Sequence, residues 1–112
     1  MTHADSRFGL LSIAIAVLTL ATALIHFVLA IPSGDIMFYA NALAYIVLLG
    51  ALYLPIPALA PYRRLVRYAL IGLAAVTVIG WIIIGERVAI GYMDKAIELV
   101  LIVLLVVEAR QG

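Results

Sequence analysis

Six side chains that could share one site stand out in a largely apolar chain: His26, Asn41, Trp81, Asp94, Lys95 and Glu98. Asp94 and Glu98 are four residues apart and Lys95 is three from Glu98, so on a helix all three meet on neighbouring faces. Carboxylates, an ammonium and an imidazole can pair, move protons or bind a small ligand, and ionisable groups within a membrane often mark function. Three readings stay open. Lys95 pairs with Glu98 or Asp94 while Asn41 bonds a backbone carbonyl and His26 a neighbour. Or the group forms a small-ligand or proton site, or it is an interface with a larger complex.

Other chemistries are less well supported. The chain has no cysteine, which removes disulfides, thiolate metal sites and thiol nucleophiles. His26, Asp94 and Glu98 do not follow a metal-ligand spacing, so no metal site is expected. A neutral imidazole on an inward face suits axial ligation of a tetrapyrrole, the alternative to having no cofactor at all. The other histidine, His3, lies outside the apolar runs, which excludes paired-histidine haem ligation within one chain. Ser12 and Ser33 lack a catalytic setting. No enzyme is expected, and no nucleic-acid partner either, since the net charge is +1 and the basic residues cluster only at Arg63, Arg64 and Arg67.

These residues are carried by apolar segments. Hydrophobic residues make up 68% of the 112 and charged residues 12%, with a mean hydropathy of +1.28; a soluble domain has about 45–50% apolar and ~25% charged residues. Helices are expected at about 8–31, 36–54, 64–84 and 91–108, each near the ~20 residues that cross a bilayer. The expected fold is all-α and integral to the membrane, an antiparallel four-helix transmembrane bundle forming one domain over 1–112. Pro32-Ser33-Gly34-Asp35 reads as the first turn, with Pro32 ending helix one and Asp35 capping helix two. Pro55, Pro57 and Pro61 break the chain before Tyr62-Arg63-Arg64 opens helix three. Gly85 to Gly91 forms the last turn, and Glu108 to Gly112 a polar tail. Arg7 followed by an apolar run and Ala30 looks like a signal sequence, but signal cores span about 7–15 residues and this uncharged run has 24. A retained helix is expected.

Arg7, Arg63, Arg64, Arg67 and Arg110 flank one membrane face, and Arg87 and Lys95 the other. The excess of basic residues marks the cytoplasmic side, so both termini are expected inside the cell membrane. Phe8, Tyr53, Tyr62 and Tyr68 then form the inner aromatic belt, and Phe38, Tyr39, Trp81 and Tyr92 the outer one. Counted at the helical rise, His26 lies roughly 7–8 Å, Asn41 ~9 Å, Trp81 ~6 Å and Glu98 ~10 Å below the outer surface. The polar residues therefore share one level.

Helix one carries a seam of Ser12, Ala16, Thr19, Ala23, His26 and Ala30, which should face into the bundle because membrane helices pack through small residues. Ala40, Ala44 and Ala51 beside Asn41 on helix two, and Ala69, Gly72 and Gly80 on helix three, are the matching candidates. Helix four is bulky apart from Glu98 and should face lipid or a partner.

Two resemblances follow. His26 late in helix one, Thr77 and Trp81 on helix three, and Met93-Asp94-Lys95 opening helix four resemble small four-span prokaryotic membrane proteins of unknown function, which implies no activity. Gly80-Trp81 through Gly85-Glu86-Arg87 is similar to the end of the third helix and next loop of small multidrug resistance transporters. Those couple protons through a glutamate in helix one, and here that helix has no acid; Glu98 would have to replace it. The expected function is a structural or accessory subunit of a larger membrane complex, in contact with lipid. The alternative is a small oligomeric transporter or ligand-binding protein using the polar cluster.

Overall fold

The computed structural model describes residues 9–85 and 87–111. His3, Arg7, Phe8, Glu86 and Gly112 lie outside the described residues, and with them the expectations placed on those positions. Four α-helices follow one another: α1 (Leu10–Ser33), α2 (Ile36–Tyr53), α3 (Arg63–Ile84) and α4 (Ala89–Gln111), with a 3-10 segment at Pro57–Tyr62 before α3.

The turns explain the boundaries. Pro32 does not end α1, as expected from sequence, but sits in its last turn, where the missing N–H costs a single intrahelical bond. Gly34 ends the helix instead: its φ of 66° is left-handed, and its N–H reaches the Ala30 carbonyl at 2.8 Å. Asp35 caps α2, accepting a bond from the Met37 N–H at 2.9 Å. Tyr62 closes the 3-10 segment and Arg63 opens α3, one residue before the expected bound of 64. At its far end the guanidinium of Arg87 takes up the Trp81 and Ile82 carbonyls at 3.1 and 2.6 Å and stacks 4.1 Å from the Trp81 ring. α4 starts two residues before Gly91 and continues through the expected polar tail to Gln111.

The helices form a ring in which α1 packs on α2 and α4, and α3 on the same two. Cross-helix bonds fix the directions. Ser12 meets Glu108 and Thr22 meets Asp94 and Glu98, so positions rising along α1 meet positions falling along α4. Asn41 on α2 meets Thr77 on α3, while Tyr53 on α2 shares Glu108 with Arg67 on α3, so positions rising along α2 meet positions falling along α3. Successive helices are antiparallel.

The core is built from Ile15, Tyr45, Leu52, Leu70, Leu101 and Leu105 together with small residues. Ser12, Thr19, Ala23, His26 and Ala30 of the α1 seam are buried, and Ala16 is half-buried. The small residues of α2 and α3 differ from expectation. Ala40, Ala69 and Gly72 are exposed, and Ala44, Ala51 and Gly80 only half-buried. The inward stripes run instead through Ala42, Tyr45 and Leu52 on α2 and through Leu70 and Ala74 on α3. Tyr45 and Arg67 must reach acids on α4, and their bonds set the rotation of α2 and α3.

The segments Leu10–Ser33, Ile36–Tyr53 and Pro57–Ile84 are long and apolar enough to cross a membrane. α4 has the length but carries charged residues along one side. Its other side is apolar and exposed, with Met93, Leu99, Val100 and Val103 each at least half accessible. The molecule is 46 Å long, comparable with the ~40–45 Å of a bilayer including headgroups.

Candidate functional site

Asp94, Lys95, Glu98, Leu101, Leu105 and Glu108 form the buried stripe of α4, at the three- and four-residue steps of one helix face. The stripe has two polar ends separated by leucines. One end is the candidate site.

Glu98 is 0% exposed and gathers partners from three helices. Its Oε1 accepts from Lys95 Nζ at 2.6 Å on α4, and its Oε2 from the Tyr45 hydroxyl at 2.7 Å on α2 and the Thr22 hydroxyl at 3.2 Å on α1. Asp94 accepts from the Thr22 hydroxyl at Oδ1 and from Lys95 Nζ at Oδ2, the latter at 2.9 Å. The ammonium therefore bridges the two carboxylates.

His26 closes the group from α1 and is 4% exposed. Its Nδ1 lies 2.8 Å from the Thr22 carbonyl, which can only accept, so Nδ1 carries the hydrogen. The other nitrogen, Nε2, then faces the acids, 3.6 Å from Asp94 Oδ2 and 4.0 Å from Glu98 Oε2. Phe38 and Tyr45 pack about the ring, with centroids 5.9 and 6.0 Å away. The ring is thus turned onto Asp94, with Phe38 and Tyr45 beside it.

Four of the six residues singled out from sequence thus meet: His26, Asp94, Lys95 and Glu98. Asn41 stands one step away. Its Nδ2 donates to Thr77 Oγ1 at 2.8 Å rather than to a backbone carbonyl, and Thr77 borders Tyr45. Asn41 Oδ1 is buried without a hydrogen-bond partner. Trp81 belongs elsewhere, packed between Arg87 and Tyr92, whose ring is 5.1 Å from its own.

Sequence reasoning missed Thr22 and Tyr45. Thr22 lies four residues before His26 and Tyr45 four after Asn41, and that helical spacing was the available signal. It also missed the second polar end, where Glu108 accepts from Arg67 Nε at 2.9 Å, the Tyr53 hydroxyl at 2.7 Å and the Ser12 hydroxyl at 3.0 Å. Glu108 is no tail residue, and Arg67 is an ion-pair partner besides being a flanking charge.

An apolar groove of about 660 Å³ runs between α1 and α2 past Leu20, Leu24, Phe27 and Leu43. None of the charged residues lines it, so it is not an entrance to the cluster.

The chain matches no protein-family model, no curated protein and no solved structure.

Proposed function

We propose that this chain is a four-span protein of the cell membrane that holds one small cation in the occluded cluster between α1 and α4. The charge count carries the reading. Two carboxylates, Asp94 and Glu98, share one ammonium, Lys95, whereas Glu108 is matched one to one by Arg67. Counted with both acids ionised and the imidazole neutral, the first cluster is one positive charge short, a deficit that a proton or a bound cation closes. An uncompensated buried charge is costly where the dielectric is low, and His26 Nε2 stands at the anionic side of the group, suited to share an added cation.

Membrane placement fits the same facts. Every acid on α4 turns inward, so the helix surface facing outward is apolar, and its 23 residues reach about 34 Å at the helical rise. Arg63, Arg64 and Arg110 gather at one end of the bundle and Arg87 at the other, and this excess of basic residues supports a C-terminus and an α2–α3 connection on the inner side.

Equilibrium binding of Na⁺, Ca²⁺ and Zn²⁺ to the detergent-purified chain tests the proposal. One of them should bind at one ion per chain, and Glu98→Gln should weaken it by about tenfold or more. A wild type that binds none refutes it. A second reading, an accessory subunit, draws on the exposed strip Leu99, Val100, Val103 and Val106 of α4. A distinct chain co-purifying at fixed ratio would favour it, and recovery of this chain alone would count against it.

A further inference from the structure

We infer that His26 Nε2, Asp94 and Glu98 form a three-ligand site for a divalent transition-metal ion, with the Lys95 ammonium as its tethered competitor. The inference rests on the cation reading above and names the ion's class.

Geometry comes first. One ligand atom from each of the three residues can be chosen so that all lie within 4.8 Å of one another. A transition-metal ion bonds such atoms at about 2.0–2.2 Å, so neighbouring ligands on a tetrahedral ion stand about 3.4 Å apart. The imidazole-to-carboxylate separations of 3.6 and 4.0 Å are slightly longer, and side-chain movement onto the ion closes them.

The surroundings hold the ligands as a metal site requires. A metal-bound histidine normally donates its other N–H to a fixed oxygen, and ligating carboxylates are themselves hydrogen-bonded. Here Nδ1–H donates to the Thr22 carbonyl, which points Nε2 at the acids. The Thr22 hydroxyl holds Asp94, and the Tyr45 hydroxyl holds Glu98. Nε2 is the independent pointer to a ligand. Its side chain is 6% exposed, and without a proton its lone pair faces two carboxylates at distances too long for hydrogen bonds.

Donor type selects the class. Ca²⁺ and Mg²⁺ take oxygen ligands, whereas an imidazole nitrogen with carboxylates suits Zn²⁺, Co²⁺, Mn²⁺ or Fe²⁺. Charge then explains Lys95. Its ammonium holds Asp94 Oδ2, the same oxygen that faces His26. A divalent ion that displaces it balances both carboxylates, and the long lysine chain can carry its charge toward the nearby end of α4.

The test uses the full, tag-free chain in detergent and Co²⁺ as probe. Wild type and His3→Ala should develop visible d–d bands at one Co²⁺ per chain, reversed by Zn²⁺. His26→Gln and Glu98→Gln should lose them, and Lys95→Gln should bind Co²⁺ about tenfold more tightly. If His26→Gln fails to fold, Cu²⁺ on the His3→Ala chain gives the same information, since its electron paramagnetic resonance should show coupling to one imidazole. No bands in wild type, bands that persist in a folded His26→Gln, or Cu²⁺ without nitrogen coupling would overturn the metal assignment. Ca²⁺ or Na⁺ binding that survives His26→Gln overturns it too, while leaving the cation site standing. Wild type binding no cation removes both.

Discussion

Glu108 and Glu98 are both acids buried on α4, yet their settings differ. Glu108 faces a guanidinium, two hydroxyls and the end of the bundle, and its charge is matched. Replacing Arg67 with Met should cost about 3 kcal/mol, because one partner of a buried pair is then left uncompensated. Thermal unfolding in detergent should show the Arg67→Met, Glu108→Leu double variant to be more stable than either single variant, a neutral pair being tolerable where a lone charge is not. The sequence made His26, Asp94, Lys95 and Glu98 legible, because ionisable residues in apolar runs stand out. Thr22 and Tyr45 were not legible. A threonine in a small-residue helix and a tyrosine in an apolar one are ordinary by type, and only the bonds they make to Asp94 and Glu98 separate them from packing residues.

At the scale of elements, α4 shows why average composition misleads. Asp94, Lys95, Glu98 and Glu108 lie on the buried stripe and Arg110 stands outside it in the last turn, so a mean over the helix hides how apolar the rest of its surface is. The α1 seam was readable because one face carries nearly all its small residues. α2 and α3 scatter alanine and glycine on several faces, and their rotation is set by Tyr45 and Arg67 reaching across the bundle, which periodicity does not encode. The α1–α2 turn gives a direct check. No atom comes within 4 Å of a Cβ added at Gly34, so Gly34→Ala should cost only the strain of the left-handed φ, about 1 kcal/mol. Asp35→Ala should cost a similar ~1 kcal/mol through loss of the cap. Calorimetric unfolding of the two variants reads both; a Gly34→Ala protein as stable as wild type would contradict the turn geometry.

For the whole molecule, the arrangement is a ring of four helices with apolar outsides and two ionic layers inside, separated by Leu101 and Leu105. The proposed orientation has a simple readout, since the chain has no cysteine of its own. In intact cells, an impermeant thiol reagent should label Ser33→Cys and spare Gln111→Cys; the reverse pattern would invert the topology. The proposed site requires α1 and α4 to present one shared group of charges. A double-mutant cycle on unfolding free energy in detergent, with His26→Ala, Asp94→Ala and the double variant, measures that sharing. The predicted coupling is at least about 1 kcal/mol, and additivity within ~0.3–0.5 kcal/mol would contradict the account.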